Sequence, residues 1–278
     1  MVGLFILYTT TAFAAVDPAC KDVASQGVPD GYSEEGQQNY LLNYFAMAAS
    51  FSPIHGPIPN PAGTGSVGVE LSVIPPLSCE RRLVLNYTKT EDTNKTPAVP
   101  RPRISFSFPA IETAKLRFVP YAGLGYVPPV PIMGTQNVII SVESGVGVKA
   151  KGSKGMQYGL RGHATLMKSV AEIATPFVEG DEAFDDLYIG STFGVDAMLG
   201  FFNKGLTTYG AIGFTDVSTF FYITDDGVVS DNTDPFAGFT GSLGAQYRLS
   251  DSIQLGGEFY TAPGLIYTGR FRVSYMLR

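Results

Sequence analysis

The chain has 278 residues, 19 Lys and Arg against 25 Asp and Glu, a formal net charge of -6 and a mean hydropathy of +0.12. Only 16% of residues are charged, against roughly 25% in an ordinary soluble domain, and the acidic balance argues against a nucleic-acid partner. No stretch approaches about 18 consecutive apolar residues, which excludes a spanning helix; a β-barrel is the membrane option that remains, because lipid requires internal pairing of every backbone polar group.

The chain opens "MVGLFILYTTTAFAAVDPAC". Residues 2–8 are apolar and Ala12-Phe13-Ala14 is an A-x-A cleavage site, so residues 1–14 read as a signal peptide, although the usual Lys or Arg before the apolar run is missing. Export leads to an oxidising compartment, where the two cysteines, Cys20 and Cys79, are expected to form one disulfide. Residues 15–65 read as an N-terminal segment that is periplasmic or plugs a lumen. Within it, Ser33 is a helix N-cap, and Tyr40, Leu41, Tyr44, Phe45 and Ala48 share one helical face in "SEEGQQNYLLNYFAMAASF". "SPIHGPIPNPAGTG" (52–65) is too rich in Pro and Gly for regular structure.

From there the period is two, and residues 66–278 read as the barrel. Strands are expected at 66–75, 102–108, 116–127, 137–150, 156–169, 187–202, 206–222, 236–249, 253–262 and 265–277. Their connections alternate between long (76–101, 170–186, 223–235) and tight ("PAIETAK", "KGSKG", "NKG", "SDS"). "PPVPIMGT" is intermediate, and the turn at Ala262 to Gly264 breaks the pattern by being short. Long loops on one side and tight turns on the other are an outer-membrane barrel's arrangement. One strand face carries Val67, Leu71, Phe106, Leu124, Val142, Phe193, Leu243, Phe259 and Val273 without a charge. The other carries Glu70, Arg103, Arg117, Glu143, Lys149, Arg161, His163, Asp196, Arg248, Glu258, Arg270 and Arg272, expected to form a lumen charge network. The fold class is therefore all-β, a transmembrane antiparallel up-and-down barrel of about ten strands with a short N-terminal helical segment. A Cys20–Cys79 bond would draw the N-terminal segment to the outer end of such a barrel. That segment could then thread or plug the lumen, with the 33–51 helix inside, and "RRLVLNYT" in the first long connection could form a small hairpin above the membrane.

The last strand, "GRFRVSYMLR", resembles the C-terminal recognition strand of bacterial outer-membrane proteins, with Phe271, Val273, Tyr275 and Leu277 alternating. It departs from that pattern where Arg278 follows Leu277 in place of a final aromatic. The run "IPPLSCERRLVLNYTKTEDTNKTP" (74–97) is similar to uncharacterised outer-membrane barrels of myxobacterial type. The resemblance implies a bacterial outer-membrane location with lipid, and other envelope proteins, as partners, and it brings no catalytic residues. Barrel proteases use an Asp–His pair at the outer rim and barrel lipases a Ser–His pair. Here the rim holds acids but no His, and His163 has no evident serine partner. The acidic connections 170–186 and 223–235 lack an ordered calcium-loop spacing. No metal, cofactor or catalytic site is expected. The expected function is structural or interactive, as an envelope-complex anchor or a surface protein using its loops; the alternative is a narrow channel for small ions or solutes.

Overall fold

Ten strands with alternating side chains pair in chain order and close on themselves. The structure is a computed structural model and describes residues 16–50, 52–91, 98–132, 135–173, 184–223 and 228–277. The barrel strands are β1 (Gly65–Val73), β2 (Ala98–Ser107), β3 (Leu116–Ile132), β4 (Thr135–Ala150), β5 (Met156–Ala171), β6 (Asp186–Asn203), β7 (Leu206–Ile223), β8 (Ala237–Arg248), β9 (Ile253–Ala262) and β10 (Ile266–Leu277). Neighbours in sequence are antiparallel, and β1 pairs with β10 from Gly65 opposite Leu277 to Ser72 opposite Arg270. Closure of these ten strands leaves no open edge facing hydrocarbon, which would not tolerate one; an extra short strand, Val228–Asp231, pairs with Phe220–Ile223 beyond the ring at the end of the long connections.

Connections at one end are tight. Lys204 and Gly205 join β6 to β7 with φ of 47° and 88°, the left-handed pair whose twist matches a two-residue hairpin. At the other end lie the long connections after β1, β5 and β7. Outer-membrane barrels place their long loops outside the cell, so this is the outer end. "PPVPIMGT" is mostly strand. Pro128 and Pro129 have no N–H to give the ladder, and the register shifts between Val127 and Val130 to absorb them.

The connection after β1 folds into a helical turn, Cys79–Arg82, and a small hairpin pairing Leu83–Val84 with Lys89–Thr90. Its tip holds Leu85, Asn86 and Tyr87 in the left-handed region, at φ of 52°, 55° and 66°. The Glu34 carboxylate steadies that costly turn, accepting from the N–H groups of Leu85 (2.8 Å) and Asn86 (3.0 Å). Cys20 and Cys79 form a disulfide that ties the N-terminal segment to this connection. Arg82 adds an ion pair to Asp17 at 3.1 Å.

The helix Glu34–Ala49 starts at Ser33, whose hydroxyl accepts from the Gly36 N–H at 3.1 Å. One apolar stripe was expected. Instead the helix from Asn39 onward is buried on nearly all sides, Asn39 and Asn43 included. The reason is its position: it stands inside the barrel mouth, against the inward side chains Ile139, Met167, Tyr188, Val217 and Tyr260. Asn43 donates to the Asp234 carbonyl and accepts from the Phe236 N–H, both at 2.9 Å, so its burial is satisfied.

Candidate functional site: the threaded lumen

Below the helix the chain turns down the barrel axis. Residues 52–60 run through the lumen as an extended, irregular thread, and Gly63 meets the wall at Ser107 beside the start of β1. Three of its residues, Pro53, Pro57 and Pro59, have no N–H, so the segment offers mainly carbonyl acceptors. The wall answers with donors. Arg270 donates to the Ser52 carbonyl and hydroxyl, both at 2.9 Å. Arg161 donates to the Pro53 carbonyl at 2.6 Å, and Arg272 to the Ile54 carbonyl at 3.3 Å. The side-chain amide of Gln246 accepts from the Gly56 N–H at 3.2 Å and donates to the Pro59 carbonyl at 3.0 Å. Three consecutive peptide carbonyls are thus each held by a guanidinium, and each guanidinium is in turn balanced by an acid.

Arg161 contacts Asp196 at 2.8 and 2.7 Å, and His163 lies 3.4 Å from the same carboxylate. Arg270 pairs with Glu258, which also accepts from the Tyr209 hydroxyl at 2.9 Å. Arg103 bridges Glu70 and Glu143, both at 3.1 Å, and Glu70 accepts from the Ile54 N–H at 3.1 Å. All these charged groups are nearly devoid of solvent exposure. Buried charges survive only when paired and hydrogen-bonded, and this arrangement supplies both.

Nine of the expected lumen residues are therefore enclosed together: Glu70, Arg103, Glu143, Arg161, His163, Asp196, Glu258, Arg270 and Arg272. Arg117, Lys149 and Arg248 share their face parity but lie at the tight-turn end, outside the enclosed set. Arg117 meets Glu112 there at 3.8 Å, with both side chains about half exposed. Two members escape sequence reasoning. Arg101, 3.8 Å from Glu70 and donating to the Ser72 hydroxyl at 2.8 Å, falls just before the expected start of its strand. His55 belongs to the thread itself and lies 2.8 Å from Glu143 through Nε2, with Nδ1 2.7 Å from the Gly56 carbonyl. A histidine between prolines gives no periodic signal, and only its place beside the polar faces of the strands reveals it.

Where the thread crosses, the wall is glycine. A Cβ at Gly147 would stand 2.4 Å from both Ile58 Cγ1 and the Pro57 carbonyl oxygen, and one at Gly200 2.7 Å from Pro57 Cδ. The signal peptide expected at 1–14 and the acids Glu179, Asp181, Glu182, Asp225 and Asp226 lie outside the described residues.

The exterior is the reverse of the lumen. Phe239, Leu243 and Ile212 are 72%, 70% and 70% exposed, and Phe193, Phe259, Phe271 and Val273 each more than half. Soluble monomers rarely expose apolar patches beyond a few hundred Å², whereas this belt continues around the strands. Among the described residues two charges interrupt it: Lys168, between buried Met167 and Ser169, and Asp216, between buried Thr215 and Val217. A closed antiparallel barrel with this exterior is an outer-membrane β-barrel that sits in the lipid bilayer.

No family model and no curated protein matches the chain. Among solved structures it is similar to the β domain of the Bordetella autotransporter BrkA, with 11% identity, TM-score 0.42, and 77% of this chain and 98% of that one covered. It is also similar to an outer membrane channel from Pseudomonas putida F1, with 10% identity, TM-score 0.40, and coverage of 82% and 99%. A third is the translocator domain of the autotransporter NalP from Neisseria meningitidis, with 10% identity, TM-score 0.40, and coverage of 97% and 99%.

Proposed function

We propose that the chain is a sealed, non-catalytic barrel that holds its own N-terminal segment through its lumen and presents a cap at the cell surface. In this reading residues 1–14 direct export from a Gram-negative cytoplasm, 15–65 form the plug and cap, and 66–278 form the barrel. The lumen charges Glu70, Arg103, Glu143, Arg161, His163, Asp196, Glu258, Arg270 and Arg272 serve to fix the plug, with Arg117, Lys149 and Arg248 ringing its inner end. The observation that carries the reading is the clamp of Arg270, Arg161 and Arg272 on three successive carbonyls of the thread. Side chains so committed do not line an open path. Both histidines are buried among lumen acids, away from the outer rim where barrel proteases hold their Asp–His pair, which favours a structural role for them. The disulfide-tied cap and the long connections supply a surface for other envelope proteins or external partners. Kinship with uncharacterised myxobacterial-type barrels, suggested by residues 74–97, belongs to the same proposal.

Planar-bilayer recording tests it. The full chain is expected to stay silent, while a variant lacking residues 52–60 shows stable openings. Regular single-channel openings of the intact chain would favour the second reading, a narrow channel lined by paired charges.

A further inference from the structure

The ladder register places two rows of outward residues side by side across β4 to β7. One row runs Val142, Ala164, Phe193, Asp216; the next runs Ile140, Leu166, Ser191, Ser218. Small side chains at Ala164 and Ser191 sit between bulky neighbours. A groove of about 360 Å³ opens there on the lipid side. That volume is at the low end of the roughly 300–1,000 Å³ of small-molecule clefts, room for part of one hydrocarbon chain and a headgroup. Its floor is apolar and one end is polar: the Asp216 carboxylate and the hydroxyls of Ser191 and Ser218. Asp216 is exposed on the lipid-facing side of β7 and has no ion-pair partner among the described residues. Its other cross-strand neighbour, Ala237, is too small to cover it. A lone carboxylate facing lipid needs a counter-charge or a hydrogen-bond donor from its surroundings.

We propose that this groove binds one membrane amphiphile bearing a primary ammonium headgroup. The acyl chain lies over Ala164 between Leu166 and Phe193, and the ammonium meets Asp216 with Ser191 and Ser218 as further partners. Charge complementarity selects the occupant: an anionic headgroup is repelled, and a quaternary ammonium has no N–H to donate.

Native mass spectrometry of the detergent-solubilised full chain, titrated with phosphatidylethanolamine, phosphatidylcholine or phosphatidylglycerol, tests the site. One phosphatidylethanolamine is expected to be retained per barrel, with the other two stripped at the same activation energy. Asp216→Asn is expected to weaken retention roughly tenfold, the scale of one charge-assisted contact. Ala164→Phe, which fills the groove, is expected to abolish it. Lys168→Gln, on the same exterior, is expected to leave it unchanged. Heat-modifiable gel migration identifies which variants are folded barrels, and only those are compared. Equal retention of the three lipids, or retention unaffected in folded Asp216→Asn and Ala164→Phe, would overturn the proposal.

Discussion

Replacing Arg161 by Met keeps the aliphatic stem and removes the guanidinium. The side chain is buried, with two contacts to Asp196 at 2.8 and 2.7 Å and one to the Pro53 carbonyl at 2.6 Å. Breaking one partner out of a buried ion pair costs about 3–5 kcal/mol, because the other charge stays enclosed without compensation. Orphaning the Pro53 carbonyl adds about 1–3 kcal/mol. The double variant Arg161→Met with Asp196→Leu removes both charges and should recover most of the first loss, leaving about 1–3 kcal/mol for the carbonyl. The chain has no Trp, so urea unfolding in detergent is followed by far-UV circular dichroism, with linear extrapolation of the free energy. A single variant within about 1 kcal/mol of the parent would refute the reasoning, since that is the scale of a solvated, screened pair. It would mean that Arg161 faces water and not a peptide.

Three further outcomes follow from the same geometry. Gly147→Leu drives a side chain into the space of Ile58 and the Pro57 carbonyl, 2.4 Å from its Cβ, so the thread is displaced and bilayer conductance appears in a folded barrel. Reducing Cys20–Cys79, which spans a sequence separation of 59, removes about 4 kcal/mol of loop-closure constraint from the cap. Limited proteolysis should then cut the region around residues 20–30 while the strands stay resistant; identical digests with and without reductant would contradict this. The Asp17 carboxyl is held below its ordinary value, by the Ala19 N–H first and then by Arg82. A depressed carboxyl stabilises above its unfolded value, and that contribution is lost as pH falls through the folded one. Cap protection against an acid-active protease should therefore hold at pH 6 and weaken below about pH 4, with Asp17→Asn removing the pH step.

The wall of the barrel is legible in the sequence because each strand carries one buried and one lipid-facing row, and period two survives wherever those rows differ in polarity. The ends are less so. β3 continues through Pro128, Pro129 and Pro131, residues that speak against a strand until a register shift excuses them. The inward charges can be picked out strand by strand, and the cysteine pair points to the N-terminal segment as a plug, but which of its atoms the charges hold cannot be read. Arg161, Arg270 and Arg272 bond to main-chain carbonyls, which every residue has, so no residue type marks the acceptor. His55 gives no signal because it lies in a Pro-rich run without periodicity, although Glu143 is its partner. The helix is legible as a plug, but the single apolar face of Tyr40, Leu41 and Tyr44 is not what a helix inside a barrel mouth shows, since its inner part needs no polar side. Lys168 and Asp216 sit on the oily rows, where alternation alone gives a charge no purpose.

The most direct test is whether residues 52–60 lie inside the barrel in the membrane. A Cβ at Gly159 would stand 3.1 Å from Pro57 Cβ, close to the roughly 3.8 Å typical of a disulfide. With Pro57→Cys and Gly159→Cys introduced together, peptide mass spectrometry of barrels isolated from outer membranes should find 57 bonded to 159 alongside the native Cys20–Cys79 bond. Two unpaired thiols at 57 and 159, both open to a membrane-impermeant maleimide in a folded barrel, would contradict the threaded lumen.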